Sequence, residues 1–184
     1  MTAIILAGGK GKRMHGRDKA FLRIKGEPII KRQLRLLKRI FKQIIVVTNF
    51  PEKYKDFRGI KIISDIVPYA GPLGGIYSGL SASKDKYNFV LACDMPFINL
   101  SLLKYMQGLC KGYDVVVPKI KKRYQPLYAF YAQDCLPKIE ISLKKINLKV
   151  FTLYSRLNVR EVSESEVRRF GKPELIFKNI NTLG

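Results

Sequence analysis

Histidine is almost missing from this sequence: His15 is the only one among 184 residues. This excludes metal sites built on several histidines and acid–base sites built on a histidine pair. A Ser-His-Asp triad would have to use His15, which stands in a glycine-rich stretch among cations. We therefore do not expect such a triad.

Cysteine is also scarce, and the three cysteines Cys93, Cys110 and Cys135 show no CxxC spacing. That excludes a zinc ribbon or a redox pair, and an odd number argues against a disulfide framework. We expect all three to be small buried side chains in a protein of a reducing compartment.

Acidic residues are few, with 14 Asp and Glu against 35 Lys and Arg, so the formal net charge is +21 at pH 7. A field of this sign favours anionic partners such as nucleotides, phosphorylated metabolites, nucleic acid or a membrane surface. A thermophile-like preference for lysine would give the same charge, so composition leaves both explanations open.

Long hydrophobic runs are missing too, since none approaches the roughly 20 residues that span a bilayer. The apolar run near the N-terminus is too short for a signal peptide, and its charges follow the run. We expect a cytoplasmic protein without a membrane partner. At roughly 150 residues per domain, the length predicts one domain over residues 1–184.

What the sequence does have is an alternation of short apolar runs and amphipathic segments. The runs predict strands at residues 2–7, 43–48, 60–64, 88–93, 113–118, 124–132, 149–154 and 175–180. The amphipathic segments predict helices at residues 28–41, 73–83, 100–110, 134–146 and 163–170. This order predicts an α/β fold: a three-layer, mostly parallel, Rossmann-like sheet with helices on both faces.

Ligands of such sheets bind beyond the carboxyl ends of the strands. The residues that follow the first four predicted strands are Gly8–Lys19, Asn49, Asp65 and Asp94. These positions are therefore the candidate site.

Residues 6–19, LAGGKGKRMHGRDK, combine four glycines with several Lys and Arg residues directly after the first strand. The segment fits neither GxGxxG nor the Walker A pattern. Glycine backbone N–H groups can close around phosphate oxygens while the cations neutralise their charge. A flexible basic surface loop is the alternative, and the position after a strand favours a phosphate site.

Five short motifs occur in order along the chain: LAGG with Arg13-Met14, Gly16-x-Asp18-Lys19, GPLGG at 71–75, CDMPF at 93–97 and NINT at 179–182. Together they resemble the signature of the molybdenum cofactor guanylyltransferases, which are small nucleotidyltransferases that make molybdopterin guanine dinucleotide. The resemblance covers residues 6 to 182. Gly74 departs from it, since the family often has alanine there, and the chain ends before the helix that often follows the last motif.

The resemblance implies an enzyme that transfers GMP from GTP to the terminal phosphate of molybdenum-molybdopterin, with Mg²⁺ as cofactor and pyrophosphate as the second product. The attacking phosphate is already anionic, so no general base is required and catalysis rests on positioning and charge. Other cofactor-biosynthesis or chaperone proteins are candidate further partners. Nucleic acid is not an expected partner, because no RNA- or DNA-binding motif is legible.

The same resemblance assigns the catalytic roles to Arg13, Lys19 and Asp94, the first two as phosphate contacts. Asp94 is also the expected metal ligand, because it ends an apolar strand and Mg²⁺ needs only one or two protein carboxylates. An alternative for Asp94 is to cap the following helix, although Asn99 or Ser101 is better placed for that.

The implied GTP-binding residues are Leu6, Ala7, Gly8, Lys19, Asp65 and Asp94. Asn49 joins them from its position after the second predicted strand, and the weaker candidates are Gly71, Gly75, Asn179 and Asn181. Asp65 has an alternative as a turn-initiating residue and Asn49 as a cap of segment 51–57. Residues 71–75 fit both a tight turn and a helix start with exposed N–H groups. Asn179 and Asn181 would share one face of a short strand, or lie in a surface turn.

Two other functions remain open at this point. A related nucleotidyltransferase of the cytidylyl or sugar-phosphate type would share the fold, because a few side chains choose the base. The LAGG opening, the Asp18-Lys19 pair and the terminal NINT favour the guanylyl type, since cytidylyl relatives usually carry LAAG. A nucleic-acid-binding protein that uses the +21 charge is the alternative of a different class.

Overall fold

The computed structural model describes residues 1–8 and 19–180. The strands in these ranges are β1 Thr2–Leu6, β2 Arg23–Ile24, β3 Glu27–Pro28, β4 Gln43–Val47, β5 Lys61–Ile63, β6 Tyr87–Ala92, β7 Val115–Ile120, β8 Arg123–Tyr124, β9 Tyr128–Ala132 and β10 Val159–Ser163. The α-helices are α1 Ile29–Leu37, α2 Gly71–Ala82, α3 Leu100–Gly108, α4 Leu136–Lys144, α5 Glu164–Arg168 and α6 Pro173–Ile176. Arg13 and Asn181 lie outside the described residues.

The main sheet has the strand order β10-β7-β9-β6-β1-β4-β5, with β8 paired to β7. Strands β6, β1, β4 and β5 are parallel neighbours. Strand β9 runs antiparallel to both β6 and β7, so β7 again points the same way as β6. Strand β10 is parallel to β7. The predicted mostly parallel sheet is confirmed.

Helices cover both faces of this sheet. Successive side chains of a strand point to opposite faces, so alternate residues pack against different helices. In β1, Ala3 and Ile5 belong to one hydrophobic cluster and Ile4 to the other. The first cluster includes side chains of α1, α3, α5 and α6. The second includes side chains of α2 and α4. The three-layer α/β architecture is therefore confirmed, and no helix in the described part of the chain is long and apolar enough to cross a bilayer.

Two predicted strands are wrong. Residues 149–154 belong to a 3₁₀ helix, Val150–Arg156, whose buried side chains Val150, Leu153 and Tyr154 suit a helical turn. Residues 175–180 overlap the short helix α6, and the rest of that segment is irregular. A short apolar run has no period long enough to separate a strand from a helix. Strand β10 was missed because its sequence, VREVS, is largely polar and it lies at the sheet edge.

The cysteine prediction is correct for two of the three residues. Cys110 and Cys135 are buried, and this burial raises the pKa of each thiol to about 12. Both thiols therefore stay protonated at neutral pH and pack as small hydrophobic groups. Cys93 is partly exposed, because it follows β6 at the edge of the sheet.

Two glycines of α2 bring this helix close to strand β1. A Cβ atom added at Gly75 would lie 3.2 Å from Leu6 Cδ2, and one added at Gly79 would lie 2.4 Å from Ile4 Cγ2. Four residues along a helix and two along a strand cover similar lengths, about 6 to 7 Å, so both glycines face alternate strand residues. The missing side chains set the distance between helix and sheet.

We expect Gly79→Ala to destabilise the protein by about 1–3 kcal/mol, because the new methyl group overlaps the buried Ile4 side chain. Urea unfolding measures this loss. Gly108→Ala is the matched control, since a Cβ there meets no atom within 4 Å. That variant should be neutral, or more stable by up to about 1 kcal/mol. Equal unfolding midpoints for both variants would contradict the close approach of α2 and β1.

Candidate active site

Four parallel strands end side by side at one edge of the sheet. Leu6, the last residue of β1, pairs with Val47 at the end of β4 and with Ala92 at the end of β6. Val47 in turn pairs with Ile63 at the end of β5. The residues that follow these ends include the predicted Gly8, Asn49, Asp65 and Asp94. The structure therefore places all four along the same edge.

Lys19 and Asp94 form an ion pair at this edge. Lys19 begins a 3₁₀ helix, Lys19–Phe21, and its Nζ donates a hydrogen bond to Asp94 Oδ2 at 3.1 Å. The Asp94 side chain is 13% exposed and that of Lys19 is 38% exposed. Two of the three residues with a predicted catalytic role are thus in contact, although 75 positions separate them. A carboxylate and an ammonium group meet here where a polyphosphate could reach both.

Three main-chain hydrogen bonds restrain the backbone around Asp94. Cys93 N donates to Leu6 O at 3.1 Å, which ties the segment after β6 to β1. Met95 N donates to Ala92 O at 3.2 Å and closes a turn over residues 92–95. Ile180 N donates to Asp94 O at 2.8 Å. The carboxylate of Asp94 therefore starts from a restrained main chain.

The bond from Ile180 also brings the preceding Asn179 close to this turn. The predicted strand geometry of the segment is wrong, because residues 177–180 belong to no strand. The role expected of Asn179 stays a prediction.

Asn49 follows β4 and contacts Gly8, which follows β1. Its Nδ2 donates to Gly8 O at 3.4 Å. A Cβ atom at Gly8 would lie 3.7 Å from both Asn49 Nδ2 and Asp65 Oδ2, so the three residues surround one small space. The alternative role of Asn49 as a helix cap is wrong, because Phe50 occupies the cap position of the next helical turn, Pro51–Lys53.

The side chain of Asp65 contacts helix α2 through Ser78. Ser78 Oγ lies 2.8 Å from both Asp65 Oδ1 and Gly74 O, to either of which it can donate its single proton, and it accepts a hydrogen bond from Ile66 N at 2.8 Å. Burial raises the pKa of Asp65, and the hydrogen bond from Ser78 opposes part of that rise. An oriented carboxylate of this kind can accept hydrogen bonds from a base N–H group or from ribose hydroxyls.

The start of α2 lies beside Asp65, since a Cβ at Gly74 would be 3.4 Å from Asp65 Oδ1. Gly71, the first helical residue, has a φ of +61°, which favours glycine. Gly75 packs against Leu6. Both weaker candidates therefore have structural reasons to be glycine, and their predicted contacts to the nucleotide stay predictions.

Leu6 and Ala7 continue β1 into the site. Ala7 N donates to Val47 O at 2.8 Å, so this N–H group already serves the sheet. Any contact of Ala7 with a nucleotide would have to use another of its atoms. The side chain of Ala7 is buried and that of Leu6 is partly so. The predicted contacts of these two residues also stay predictions.

Two polar residues near the site were missed by the sequence reasoning. Ser78 positions Asp65, and Gln33 of α1 donates to the carbonyl oxygens of Ala92 and Met95 on either side of Asp94. Both are fully buried on helices that pack against the sheet. The signal that could have found them is a polar side chain among the apolar positions of a helix.

No group of three or more His, Cys, Asp or Glu side chains is arranged to hold a metal ion within residues 1–8 and 19–180. A cation held by one or two protein carboxylates, with phosphate oxygens and water at its other positions, needs no such group, and Asp94 as its ligand stays a prediction. Such coordination is usual for Mg²⁺.

Comparison with known proteins agrees with this geometry. The model of the MobA-like NTP transferase domain matches residues 3–157. A protein named probable molybdenum cofactor guanylyltransferase from Clostridium perfringens is 39% identical over 184 residues, which cover 99% of this chain and 92% of the relative. The molybdenum cofactor guanylyltransferase of Desulfosudis oleivorans is 34% identical, with 99% and 90% covered.

Solved structures show the same fold. Molybdopterin-guanine dinucleotide biosynthesis protein A from Archaeoglobus fulgidus superposes with a TM-score of 0.84 at 28% identity, covering 99% of this chain and 93% of that one. A nucleotidyl transferase from Methanothermobacter thermautotroptrophicus has a TM-score of 0.70 at 18% identity, covering 98% and 91%. On the family match and the full-length relatives, this chain is a nucleotidyltransferase and belongs to the MobA-like NTP transferase family.

Proposed function

We propose that this protein transfers GMP from GTP to the terminal phosphate of molybdenum-molybdopterin. The products are molybdopterin guanine dinucleotide cofactor and pyrophosphate. The observation that carries the proposal is the contact of Lys19 Nζ with Asp94 Oδ2 at 3.1 Å, at the carboxyl edge of four parallel strands. The relatives named as molybdenum cofactor guanylyltransferases supply the choice of substrates.

In this reaction an oxygen of the pterin phosphate attacks the α-phosphorus of GTP. The bond from that phosphorus to the α–β bridging oxygen breaks, and pyrophosphate leaves with its electron pair. The nucleophile needs no deprotonation and the reaction requires no general base, which agrees with the carboxylates and the ammonium group that the described residues bring to this edge. Rate acceleration then comes from holding the two anions in line and from stabilising the added charge on the phosphate oxygens.

Lys19 is the phosphate-binding cation of this proposal. Its ammonium group lies on the Asp94 side of the edge and is still 38% exposed, so it can reach a ligand. Arg13, which lies outside the described residues, is proposed as the second phosphate contact from the family resemblance. Two fixed cations would offset the charge that develops on the triphosphate as pyrophosphate leaves.

Asp94 is the residue that would hold Mg²⁺. Its donor atoms are hard carboxylate oxygens, it is largely buried, and the turn that carries it is fixed by hydrogen bonds on both sides. This donor set suits Mg²⁺, which prefers oxygen and keeps several water or phosphate ligands. When bound, the ion would neutralise triphosphate charge. Asp94 itself would orient the nucleotide relative to Lys19.

The space between Gly8, Asn49 and Asp65 is the proposed nucleoside site. Gly8 carries no side chain, so a base or ribose ring can approach the main chain there. Asp65, anchored by Ser78, presents a carboxylate that can accept from guanine N–H groups or from the ribose. Asn49 supplies an amide close to both.

We expect GTP with Mg²⁺ to raise the melting temperature clearly and CTP to raise it much less. A ligand at about 100 times its Kd stabilises the folded protein by about 2.7 kcal/mol, or roughly 5–10 °C for a chain of this size. Differential scanning fluorimetry with GTP, ATP, UTP and CTP measures the difference. Equal shifts with all four nucleotides would contradict the choice of guanine.

The transfer itself is tested with GTP labelled at the α-phosphate, molybdenum-molybdopterin and Mg²⁺. Label should enter the dinucleotide product, and pyrophosphate should appear in equal amount. Label transfer from CTP but not from GTP would replace the proposal by a cytidylyl transfer. RNA binding over a salt series provides the comparison for the remaining alternative of a nucleic-acid-binding protein.

Three further expectations stay predictions beside this function. They are the organisation of residues 1–184 as one domain, action in the cytoplasm, and contact with other cofactor-biosynthesis or chaperone proteins.

A further inference from the structure

The buried side of α1 contains one residue that does not match its neighbours. Gln33 is fully buried among the hydrophobic side chains of this helix. Its Nε2 donates hydrogen bonds to Ala92 O and to Met95 O, both at 2.9 Å. These carbonyl groups belong to the first and last residues of the turn that carries Asp94.

The side chain of Gln33 therefore forms hydrogen bonds to both ends of this turn. The bond from Met95 N to Ala92 O closes it at 3.2 Å, and Gln33 joins the carbonyl groups of the same two residues. The neighbouring residue of α1, Arg32, donates from Nε to Pro96 O at 3.2 Å. Helix α1 thus holds the main chain on both sides of Asp94.

Glutamine is an unusual residue at a fully buried position of a helix. The Oε1 atom of Gln33 is buried and has no hydrogen-bond partner in the described part of the chain. A buried acceptor without a partner destabilises the folded state, and a leucine at this position would avoid that cost but would remove the bonds to Ala92 O and Met95 O. What the glutamine supplies, and leucine cannot, is this pair of hydrogen bonds to the Asp94 turn.

We propose that Gln33 is a positioning residue that holds the turn over residues 92–95, so that the Asp94 carboxylate is oriented towards Lys19 and the nucleotide phosphates. The inference rests on the proposed function, which gives Asp94 its part in the reaction. Phosphoryl transfer depends on geometry, and a displacement of about 1 Å can cost on the order of 100-fold in rate. Residues that orient a metal ligand commonly contribute 10–100-fold to activity or metal affinity.

The chain offers a matched control for this glutamine. Gln133 Nε2 also donates to two main-chain carbonyl groups, Leu80 O and Ser83 O, each at 2.9 Å. These acceptors lie at the C-terminal end of α2, whereas the start of α2 lies beside Asp65. Gln133→Leu therefore removes an equivalent pair of hydrogen bonds at the opposite end of the strands.

We expect Gln33→Leu to lower kcat about 10–100-fold and to raise the Mg²⁺ concentration needed for half-maximal activity, with little change in KM for GTP. Amide hydrogen exchange at Cys93 and Met95 should become about tenfold faster, a readout that needs no substrate. Gln133→Leu should leave kcat, the Mg²⁺ requirement and exchange at these two amides unchanged. A folded Gln33→Leu protein that matches Gln133→Leu in kcat and in exchange would overturn the proposal.

Gln33→Met provides a second variant of similar length if leucine does not support folding, and it should show the same losses. Failure of both variants to fold would make Gln33 a core residue and overturn its positioning role. A wild-type protein that does not transfer GMP would refute the proposed function instead. In that case the exchange rates at Cys93 and Met95 still decide whether Gln33 holds the turn.

Discussion

Asp94→Ala should lower guanylyl transfer by about 100-fold or more while the protein stays folded. The carboxylate lies in the turn that follows the buried strand β6, contacts Lys19 Nζ at 3.1 Å and is the proposed Mg²⁺ ligand. Its removal takes away the proposed protein ligand of Mg²⁺, the ion that would neutralise triphosphate charge, so kcat should fall at every Mg²⁺ concentration. Steady-state rates over a Mg²⁺ series, together with a circular dichroism spectrum, measure both parts of the prediction.

A second Lys–Asp pair of similar geometry serves as the control. Lys138 Nζ lies 3.2 Å from Asp114 Oδ2, and the Asp114 side chain is 19% exposed. Asp114 precedes β7, so this pair lies at the opposite edge of the sheet. Asp114→Ala should therefore keep a nearly normal rate. Near-normal transfer by Asp94→Ala in Mg²⁺ would remove the assignment of Asp94.

Lys19→Ala should lower activity on the order of 100-fold, far more than Arg35→Ala. Each variant removes one of the 35 Lys and Arg charges, so the long-range positive field falls about equally. Arg35 lies on α1, is 57% exposed and pairs with Glu27 at 3.1 Å. An exposed pair of this kind contributes little to stability. The rates of the two variants therefore separate a local contact from the general charge.

Salt concentration makes this comparison sharper. At physiological ionic strength, interactions between exposed charges fade beyond a Debye length of about 8 Å. A direct contact of Lys19 with phosphate oxygens would survive high salt, whereas a diffuse field would not. Rates are therefore compared at low and high salt. Similar and salt-sensitive losses in Lys19→Ala and Arg35→Ala would show that the charge acts diffusely, and the assignment of Lys19 would fall.

Helix α2 links the packing of this fold to its candidate site. Gly75 and Gly79 let the helix approach β1, and Ser78, which precedes Gly79 on the same helix, then reaches Asp65. The same helix begins at the carboxyl edge of the sheet and ends at the opposite one. A bulky side chain at either glycine would move the support of Asp65 as well as the core.

The sequence by itself determined the fold class and the row of candidate residues at the strand ends. Buried parallel strands are short apolar runs, and each of the first four predicted runs is followed within two residues by a glycine or polar residue that proved to lie at the common edge: Gly8, Asn49, Asp65 and Asp94. This worked because the period of a strand and the position of its end are local properties, which the chain carries residue by residue.

Only the tertiary structure decided which of these residues meet. The order β6-β1-β4-β5 places Asp94 beside the end of β1 and Asp65 beside Asn49. No local sequence pattern predicts that order. The contact of Lys19 with Asp94 and the hydrogen bonds of Gln33 span 59 to 75 positions. Segment 149–154 formed part of a 3₁₀ helix, and segment 175–180 formed the end of α6 and an irregular stretch, so neither is a strand. A short apolar run gains as much free energy from burial in a helical turn as in a strand. The packing of the neighbouring elements therefore determines which of the two conformations it adopts.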